Sequence, residues 1–348
     1  MLVSGVNPVA TEKDVAETKA SGAGWHSLLR PMEPFLNAVS QQLRVQVSVF
    51  EPEIASFAEY ALTNQGKQLR PALVGCAGNA GEGFSDDLVK AAVIIEMIHL
   101  ATLVHDDIMD GADMRRSRPT LCAHSGNEVS VLLGDCLFAR ALELASEFPT
   151  TQVCSLVSKA TRNVCTGEIL QTLRLKKSTH NRQDYVKTLK LKTAELFALS
   201  CELGGMIGGL DRQAQTLLRD FGVSMGIAYQ IYDDCLDIFG NETQVGKSLG
   251  TDLATGKLTL PVLLMLEKMP ETEKNEIISK LFQWDGCQMR WLMDLLKQAQ
   301  SLEGCVDVVQ SYVDQSNAAL KKLEQDGHGI ALKQVLSYLS QQVSLLTY

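Results

Sequence analysis

The sequence predicts an all-α protein in which one large bundle of helices surrounds a deep central cavity. Apolar residues recur at the i, i+3 and i+4 spacing of helices along most of the chain, and no convincing alternating strand pattern is found. The composition is 45% hydrophobic but only 6% aromatic, which indicates an aliphatic core. The 348 residues contain no long polar linker and no internal repeat. These observations favour one large domain over two average ones.

The periodic segments are separated by turn signals rich in Gly, Pro and Asn, such as Gly81-Glu82-Gly83 and Gly240-Asn241. The predicted helices cover residues 34–62, 86–110, 127–147, 150–175, 183–209, 211–239, 259–268, 271–283, 288–300, 303–325 and 328–346. Residues 1–24 lack the apolar run of a secretory signal. We therefore expect residues 1–30 to form a poorly ordered leader and residues 31–348 to form the helical domain.

Charge and cysteine content restrict the class of protein. The formal net charge of −9 argues against a general nucleic-acid binder. The nine cysteines form no Cys-x-x-Cys pair and no zinc spacing, which indicates free thiols in a reducing compartment. The most apolar window, residues 91–104, is interrupted by Glu96 and His99 and is too short to span a bilayer. These features predict a soluble, cytoplasmic protein without a transmembrane segment.

Two acidic motifs of identical spacing carry most of the functional information. Each ends a long apolar stretch, and their sequences are Asp106-Asp107-Ile108-Met109-Asp110 and Asp233-Asp234-Cys235-Leu236-Asp237. At about 100° per helical residue, positions i, i+1 and i+4 lie on one face. Three adjacent carboxylates are unfavourable unless cations compensate them, and Mg²⁺ bound by carboxylates commonly bridges to substrate phosphates. The candidate metal ligands are therefore Asp106, Asp107, Asp110, Asp233, Asp234 and Asp237.

Basic residues before the first motif suit a diphosphate. Lys67 and Arg70 precede Pro71, which favours the first turn of a helix, so both lie near free backbone N–H groups. His99 precedes Asp106 by seven residues and shares its helical face. Taken alone, such residues are usually solvated cations or a buried histidine. His99, however, is expected to point where the carboxylates of the first motif point.

More basic and polar residues follow the two motifs. Arg115 and Arg116 come directly after the first motif, and guanidinium groups bind phosphate through two hydrogen bonds, although a salt-bridge network with the aspartates would also explain them. Lys247 and Lys257 follow the second motif. Polar residues within otherwise apolar helices need partners when they are buried. They are Lys192, Thr193, Gln230 and Asp252.

Together these motifs resemble those of the trans-type isoprenyl diphosphate synthases, the polyprenyl synthetases, most closely the long-chain members. The resemblance extends from about Gly66 to Pro261, and the motifs occur in the family's order. They are Gly66-Lys67-x-x-Arg70-Pro71; Glu96-x-x-His99; the first acidic motif with Arg115-Arg116; Gly134-Asp135-x-Leu137-Phe138; Gly167-Glu168-x-x-Gln171; Lys192-Thr193; Tyr229-Gln230 with the second acidic motif; and Gly246-Lys247 with Asp252 and Lys257.

The resemblance implies the helical isoprenoid synthase fold and a Mg²⁺-dependent condensation of isopentenyl diphosphate with an allylic prenyl diphosphate. The residues implied to bind Mg²⁺ are Asp106, Asp110 and Asp233, supported by Asp107, Asp234 and Asp237. Those implied to hold the allylic diphosphate are Arg115, Lys192, Lys247 and Lys257. Those implied to hold isopentenyl diphosphate are Lys67, Arg70, His99 and Arg116. Thr193 and Gln230 would stabilise a carbocation by their dipoles.

A few positions depart from the family pattern. Gln65 and Gln68 replace a usual Gly and Arg, and Ser117 replaces a usual Gly. Residues 344–348 lack the basic residue often found at the C-terminus. These changes remove no metal ligand, but the changes at Gln65 and Gln68 are expected to weaken the binding of isopentenyl diphosphate.

Alternative functions explain parts of the pattern. A terpene cyclase would share the first motif but should carry an Asn/Ser/Glu-type second metal motif. An inactive subunit of a heteromeric synthase should have lost Asp or Arg residues. A purely structural bundle would not need two acidic faces with matching cations. A short-chain farnesyl or geranylgeranyl diphosphate synthase stays open, because it differs only in product length.

Product length is predicted from the residues before the first motif. In the family, aromatic residues here stop elongation early, whereas Ala101 followed by Thr102 resembles the synthases that make quinone side chains. Ala101 is also simply a good helix former. We expect Ala101 to line a tunnel, so that Ala101→Phe melts near wild type and gives markedly shorter products; if Ala101 is instead packed in the core, the melting temperature should fall while the product stays the same. The resemblance also implies a homodimer and leaves open a peripheral membrane contact that releases the apolar product.

Overall fold

The structure is a computed structural model that describes residues 28–63, 66–81, 83–116, 118–175, 181–240, 249–323 and 329–348. Helices dominate these residues, and the strands among them form one two-stranded hairpin. The predicted all-α fold class is therefore confirmed. Most of the proposed leader lies outside the described residues, which begin at residue 28.

The helices of the described residues are numbered in chain order. They are α1 (Glu33–Val47), α2 (Pro52–Leu62), α3 (Leu69–Ala77), α4 (Asp86–Met109), α5 (Leu121–Ser125), α6 (Asn127–Ser146), α7 (Thr151–Leu175), α8 (Arg182–Leu189), α9 (Glu195–Ile207), α10 (Arg212–Phe239), α11 (Thr251–Ala254), α12 (Leu260–Glu267), α13 (Glu271–Leu281), α14 (Met289–Gln298), α15 (Ser301–Leu323) and α16 (Ile330–Ser344). A 3₁₀ turn (Arg30–Met32) precedes α1, and a π-helical turn (Lys190–Ala194) joins α8 to α9. The hairpin pairs β1 (Met114–Arg115) with β2 (Arg118–Pro119).

The two long helices that end in the acidic motifs lie inside the bundle. α10 packs along α9 and α15, and α4 packs along α6. Glycines allow α10 to cross α9 closely: a Cβ on Gly222 would lie 2.6 Å from the Cα of Ala198, and a Cβ on Gly226 would lie 2.7 Å from the Cα of Ala194. A larger side chain at either glycine would therefore move the second motif away from the polar residues that precede α9.

α4 is a long apolar helix that ends in the first acidic motif. Ser85 caps its N-terminus, where the side chain accepts a 3.2 Å hydrogen bond from the Leu88 N–H. Its length and composition would suffice to cross a membrane, but 72% of its most apolar window is buried inside the bundle. α4 is therefore a core helix that delivers the first motif to the interior of the fold.

One face of α4 stays accessible near its C-terminal end. His99, Thr102 and Asp106 keep accessible surface and lie one above another at spacings of three and four residues. Ala101, in contrast, has no accessible surface and belongs to the hydrophobic core. This favours the packed-core interpretation of Ala101 and makes Thr102 the position that faces open space.

Local signals explain where the helices differ from the predicted segments. The predicted helix 34–62 is two helices, because Pro52 begins a new one at its first position. Pro71 lies in the first turn of α3. None of the predicted helical segments covers α3, although Pro71 indicated that a helix starts there. The predicted segment 183–209 contains the π-helical turn. The hairpin, α5 and α11 are too short for a periodic pattern to reveal them.

Candidate active site

The first acidic motif presents two of its carboxylates to lysines from distant parts of the chain. Asp106, 18% exposed, has its Oδ2 atom 3.7 Å from Lys192 Nζ. Asp110, 32% exposed, accepts hydrogen bonds of 2.8 Å from Lys257 Nζ on both oxygens. Burial raises the pKa of Asp106 to about 6, although Lys192 acts in the opposite direction. These carboxylates are thus held in a partly dehydrated region that attracts cations.

Asp107 anchors the hairpin that follows the motif. Its buried carboxylate accepts a 2.7 Å hydrogen bond from Arg115 Nε on β1. Arg116 adopts a left-handed conformation with φ of 52°, and a Cβ added to Gly66 would overlap its guanidinium group. The loop before α3 and the Arg116 side chain are therefore in close contact at Gly66.

Aromatic contacts on the outer side of the hairpin were not predicted. Tyr60 on α2 donates a 2.7 Å hydrogen bond to the carbonyl oxygen of Pro119. The Arg118 guanidinium lies 3.5 Å from the centroid of the Tyr60 ring, and the His124 ring stacks on the same ring at 4.9 Å. These contacts fix β2 and, through its pairing with β1, Arg115. A single tyrosine in an amphipathic helix gives no sequence signal for this role.

Three of the four residues predicted to bind isopentenyl diphosphate, Arg70, His99 and Arg116, lie close enough to influence one another electrostatically. Arg70 is half-buried, and its guanidinium lies 5.0 Å from the centroid of the Phe197 ring. Burial lowers the pKa of His99, and Arg70 and Arg116 lower it further, so the imidazole is neutral. Glu96, 3% exposed, attracts both guanidinium groups electrostatically. Because two arginines face one buried carboxylate, the cluster has a net positive charge, which suits a diphosphate.

The loop before α3 contains Lys67, which is exposed, and Gln68. Gln68 has a φ of 48°, and its Nε2 donates a 2.9 Å hydrogen bond to Ser40 Oγ on α1. The glutamine that replaces the family's usual arginine therefore anchors this loop. Three sequence-predicted features lie outside the described residues: Lys247, Gln65 and Ser117.

The carboxylates of the second motif differ in accessibility. Asp234, 5% exposed, accepts hydrogen bonds of 2.5 Å from the Tyr185 hydroxyl and 2.8 Å from Gln230 Nε2. Burial raises the pKa of Asp234 well above its usual range. Asp237 is 1% exposed and is hydrogen-bonded to the start of α11, whereas Asp233 keeps accessible surface. Asp233 is therefore the member of this motif best exposed to an ion.

The π-helical turn positions two further candidates. Such a turn contains an extra residue relative to an α-helical turn and is frequent at functional sites. It brings Lys192 to Asp106, and it brings Thr193 to α10, where Thr193 Oγ1 donates a 3.0 Å hydrogen bond to Gln230 Oε1. Thr193 and Gln230, separate in sequence, thus form one polar pair beside the second motif.

Glu168 on α7 is a residue to which sequence reasoning gave no role. It forms an ion pair with Lys192, and its charge contributes to the raised pKa of Asp106. The adjacent Gly167 allows close approach, because a Cβ there would lie 2.6 Å from the backbone nitrogen of Lys192. The motif Gly167-Glu168-x-x-Gln171 had indicated that Glu168 is important without showing its role. In the structure, Gly167 and Glu168 both contact Lys192.

A cavity of about 160 Å³ lies beside these groups. Its lining includes the polar pair Thr193 and Gln230, and it also includes Lys192, Asp234 and Lys257. Asp234 of the second motif lines this cavity, and the first motif adjoins it through Lys192 and Lys257, which contact Asp106 and Asp110.

The arrangement fits Mg²⁺ that is bound jointly by protein and substrate. Within the described ranges, no three carboxylate, imidazole or thiol side chains converge closely enough to hold an ion alone. Asp106, Asp110 and Asp233 nevertheless keep accessible surface in a cation-attracting region. Mg²⁺ typically uses one or two carboxylates together with substrate phosphates and water. The site therefore suits magnesium that arrives with a diphosphate.

Comparisons with known proteins agree with this chemistry. The polyprenyl synthetase family model matches residues 51–291. Heptaprenyl diphosphate synthase component 2 of Geobacillus stearothermophilus is 32% identical over 318 residues, covering 90% of this chain and 99% of that protein. A decaprenyl diphosphate synthase structure from Rhodobacter capsulatus has a TM-score of 0.82 and 30% identity, covering 92% of this chain and 99% of that chain.

A polyprenyl synthase from Caulobacter crescentus CB15, solved with calcium and isoprenyl diphosphate, has a TM-score of 0.82 and 31% identity. The match covers 93% of this chain and 98% of that chain. The family model spans well over half of the sequence, including both acidic motifs and the basic residues around them. The chain therefore belongs to the polyprenyl synthetase family.

Proposed function

We propose that the protein is a Mg²⁺-dependent prenyltransferase that condenses isopentenyl diphosphate with an allylic prenyl diphosphate. Its product is a long trans-polyprenyl diphosphate that supplies a quinone side chain. The observation that carries the proposal is that Asp234 lines the same cavity as the two lysines paired with Asp106 and Asp110, while a separate arginine cluster lies near His99. The names of the similar proteins, heptaprenyl and decaprenyl diphosphate synthase, support a long product.

Ionisation of the allylic substrate depends on charge at the first motif. When bound, Mg²⁺ neutralises charge on the departing diphosphate. Lys192 and Lys257, already within reach of Asp106 and Asp110, donate hydrogen bonds to the same diphosphate. Arg115 is fixed by Asp107 and adds a third donor. Fixed positive groups of this kind stabilise charge that develops in the transition state without further reorganisation.

Bond formation follows in the apolar interior. The Arg70 and Arg116 cluster holds the diphosphate of isopentenyl diphosphate, whose double bond attacks the allylic carbocation. Thr193 and Gln230, joined at 3.0 Å, orient their oxygen dipoles toward the cation. The proton that is lost passes to the released diphosphate. The enclosing helices exclude water, which would otherwise capture the cation.

A direct assay tests this proposal. Purified full-length protein is incubated with labelled isopentenyl diphosphate and farnesyl or geranylgeranyl diphosphate, with Mg²⁺ or with EDTA. We expect labelled polyprenyl diphosphates only in the presence of Mg²⁺, longer than the primer by several isoprene units. Cyclic hydrocarbon products, or no incorporation with any allylic primer, would contradict the proposal. Products no longer than geranylgeranyl diphosphate would contradict its long-chain part alone.

Kinetics should separate the two substrate sites. Lys67→Ala and His99→Ala are expected to raise the KM for isopentenyl diphosphate about tenfold or more, because each removes a group from that pocket. Arg115→Ala is expected to raise the KM for the allylic substrate instead. Lys90→Ala is the matched control, since Lys90 pairs with Glu147 at the surface, near the opposite end of α4. Equal shifts of both KM values in every site variant would refute two separate pockets.

We further propose a homodimer formed through α6 and α7. Exposed apolar side chains lie on these adjacent helices: Val131 (42%), Leu132 (64%), Ile169 (60%) and Leu173 (54%). Light scattering at micromolar concentration should give twice the 38.0 kDa chain mass. Leu132→Asp with Ile169→Asp should shift the protein toward monomers. A monomeric wild-type protein would contradict the proposal.

The cellular setting is proposed from the thiols and the apolar product. All nine cysteines are free, and Cys76, Cys201, Cys235 and Cys305 are buried. Free thiols in this number are typical of the reducing cytoplasm. Because a long prenyl chain partitions into lipid, we propose that the enzyme releases it during peripheral contact with a membrane.

A further inference from the structure

We propose that Asp237, the last residue of the second acidic motif, is not a metal ligand but a positioning residue for Lys257. In this role it holds the start of helix α11, and α11 in turn holds Lys257 at the first motif. This inference rests on the proposed function, because it assigns Lys257 to the allylic diphosphate. It connects the two motifs through protein contacts rather than through a shared ion.

The carboxylate of Asp237 is engaged at the start of α11. Its Oδ1 accepts a 2.6 Å hydrogen bond from Thr251 Oγ1 and a 3.2 Å hydrogen bond from the Thr251 N–H. Its Oδ2 accepts a 3.0 Å hydrogen bond from the Asp252 N–H. The backbone carbonyl of Asp237 accepts a further 2.7 Å hydrogen bond from the Gly250 N–H. One residue thus binds three consecutive residues of the segment that enters α11.

The contacts continue from α11 to the first motif. The Lys257 N–H donates a 2.8 Å hydrogen bond to the carbonyl oxygen of Asp252. Gly256, with φ of 77°, makes the left-handed turn that directs the chain to Lys257. Lys257 Nζ then donates hydrogen bonds of 2.8 Å to both carboxylate oxygens of Asp110. An unbroken series of hydrogen bonds therefore links Asp237 to Asp110.

The segment that contains α11 depends on the hydrogen bonds that Asp237 accepts. α11 contains only four residues, and a helix of one turn has no stability of its own in water. Gly250, with φ of 73°, precedes it, and the glycine leaves room for the Trp284 ring, which would lie 3.0 Å from a Cβ at that position. The Asp237 carboxylate satisfies N–H groups that the helix itself leaves without partners. Loss of this carboxylate would therefore weaken the support of the segment that leads to Lys257.

Accessibility separates Asp237 from the metal ligands. Its residue surface is 1% exposed, whereas the side chains of Asp106 and Asp110 are 18% and 32% exposed. Mg²⁺ keeps several waters when it binds proteins, so it needs carboxylates that solvent can reach. The two carboxylate oxygens of Asp237 already accept three hydrogen bonds from Thr251 and Asp252, which leaves little space around them for a hydrated ion.

Thr251 provides the test, because it carries the contact but belongs to neither acidic motif. Thr251→Val removes the hydroxyl that donates to Asp237 while keeping the shape of the side chain. Thr251→Ser keeps the hydroxyl and is the matched control. Asp237→Asn disturbs the same contacts from the other side, and Asp233→Asn is the comparison for loss of a metal ligand.

We expect Thr251→Val and Asp237→Asn to raise the KM for the allylic diphosphate about tenfold, with the Mg²⁺ concentration for half-maximal rate unchanged. Thr251→Ser should behave as wild type. The double variant should be no worse than Asp237→Asn alone, because both changes break one set of contacts. Asp233→Asn should instead raise the Mg²⁺ requirement.

A second readout does not depend on activity. In metal-free full-length protein, amide hydrogen exchange of residues 249–257 should accelerate in Thr251→Val and Asp237→Asn but not in Asp233→Asn. The inference is overturned if exchange is unchanged in both variants, or if Asp237→Asn raises the Mg²⁺ requirement while Thr251→Val matches wild type. Failure of the proposed function would appear separately, as an inactive wild-type protein.

Discussion

Asp106→Ala and Asp233→Ala should each lower kcat by about a thousandfold or more, because Mg²⁺ can no longer be held where it neutralises the departing diphosphate. Both residues keep accessible surface; Asp106 contacts Lys192, which lines the cavity, and Asp233 is adjacent to Asp234, which also lines it. Steady-state assays with saturating substrates, repeated over a range of Mg²⁺ concentrations, would measure the loss of kcat. Rates near wild type in either variant would exclude that residue from the metal site.

Loss of activity should not reflect loss of folding. In the folded metal-free protein the pKa of Asp106 is raised to about 6, above the value of about 4 for an unfolded chain. The folded state therefore binds the proton more tightly, and stability falls as pH rises from about 4 to 6. Asp106→Asn lacks this effect, so its melting temperature at pH 7 should equal or exceed that of wild type. A marked decrease would show that the Lys192 ion pair stabilises the fold more than burial of Asp106 destabilises it.

Thr102→Phe should shorten the product by one or more isoprene units. Thr102 lies one turn before Asp106 on the accessible face of α4, and its hydroxyl donates a 2.7 Å hydrogen bond to the His99 carbonyl oxygen. A phenyl ring there would fill space that the growing chain enters below the first motif. Mass spectrometry of the dephosphorylated products would measure the change, with Thr102→Val as the control of similar shape.

Ala101→Phe is the informative contrast. Ala101 has no accessible surface, so the ring must displace packed neighbours at a cost of about 1–3 kcal/mol. Its melting temperature should fall while product length stays that of wild type. If Ala101→Phe shortens the product and Thr102→Phe does not, the chain grows along the other side of α4.

The sequence predicted features that local spacing encodes. The acidic motifs and the shared face of His99 and Asp106 follow from helical periodicity, and both motifs end helices as expected. Lys192 and Thr193 were selected as polar residues in apolar surroundings, and the structure gives them partners. Such features can be predicted from the geometry of a single helix.

Partners that are distant in sequence were not predictable in the same way. Tyr185 binds Asp234 across 49 positions, and Tyr60 binds Pro119 across 59. The engagement of Asp237 by Thr251 crosses a loop whose length carries no periodic signal. The burial of Ala101 was not predictable for a different reason. Ala101 and Thr102 are adjacent in the helix, and periodicity alone does not tell which of the two is packed in the core. These contacts depend on how helices cross, which a single sequence does not specify.

The π-helical turn between α8 and α9 has a consequence for how this protein can change over evolutionary time. Tyr185 before the turn, Thr193 within it and Glu195 after it all contact α10, through Asp234, Gln230 and Arg219. A π-helical turn fits one extra residue into the angle that an α-helical turn covers, so deleting that residue would convert the turn to α-helix and leave α8 and α9 nearly in place. The contacts of Tyr185 and Glu195 would then persist, but a regular α-helical turn could not present both Lys192 to Asp106 and Thr193 to Gln230 as the bulge does. We therefore expect this stretch to accept changes in composition while its length stays invariant among functional descendants.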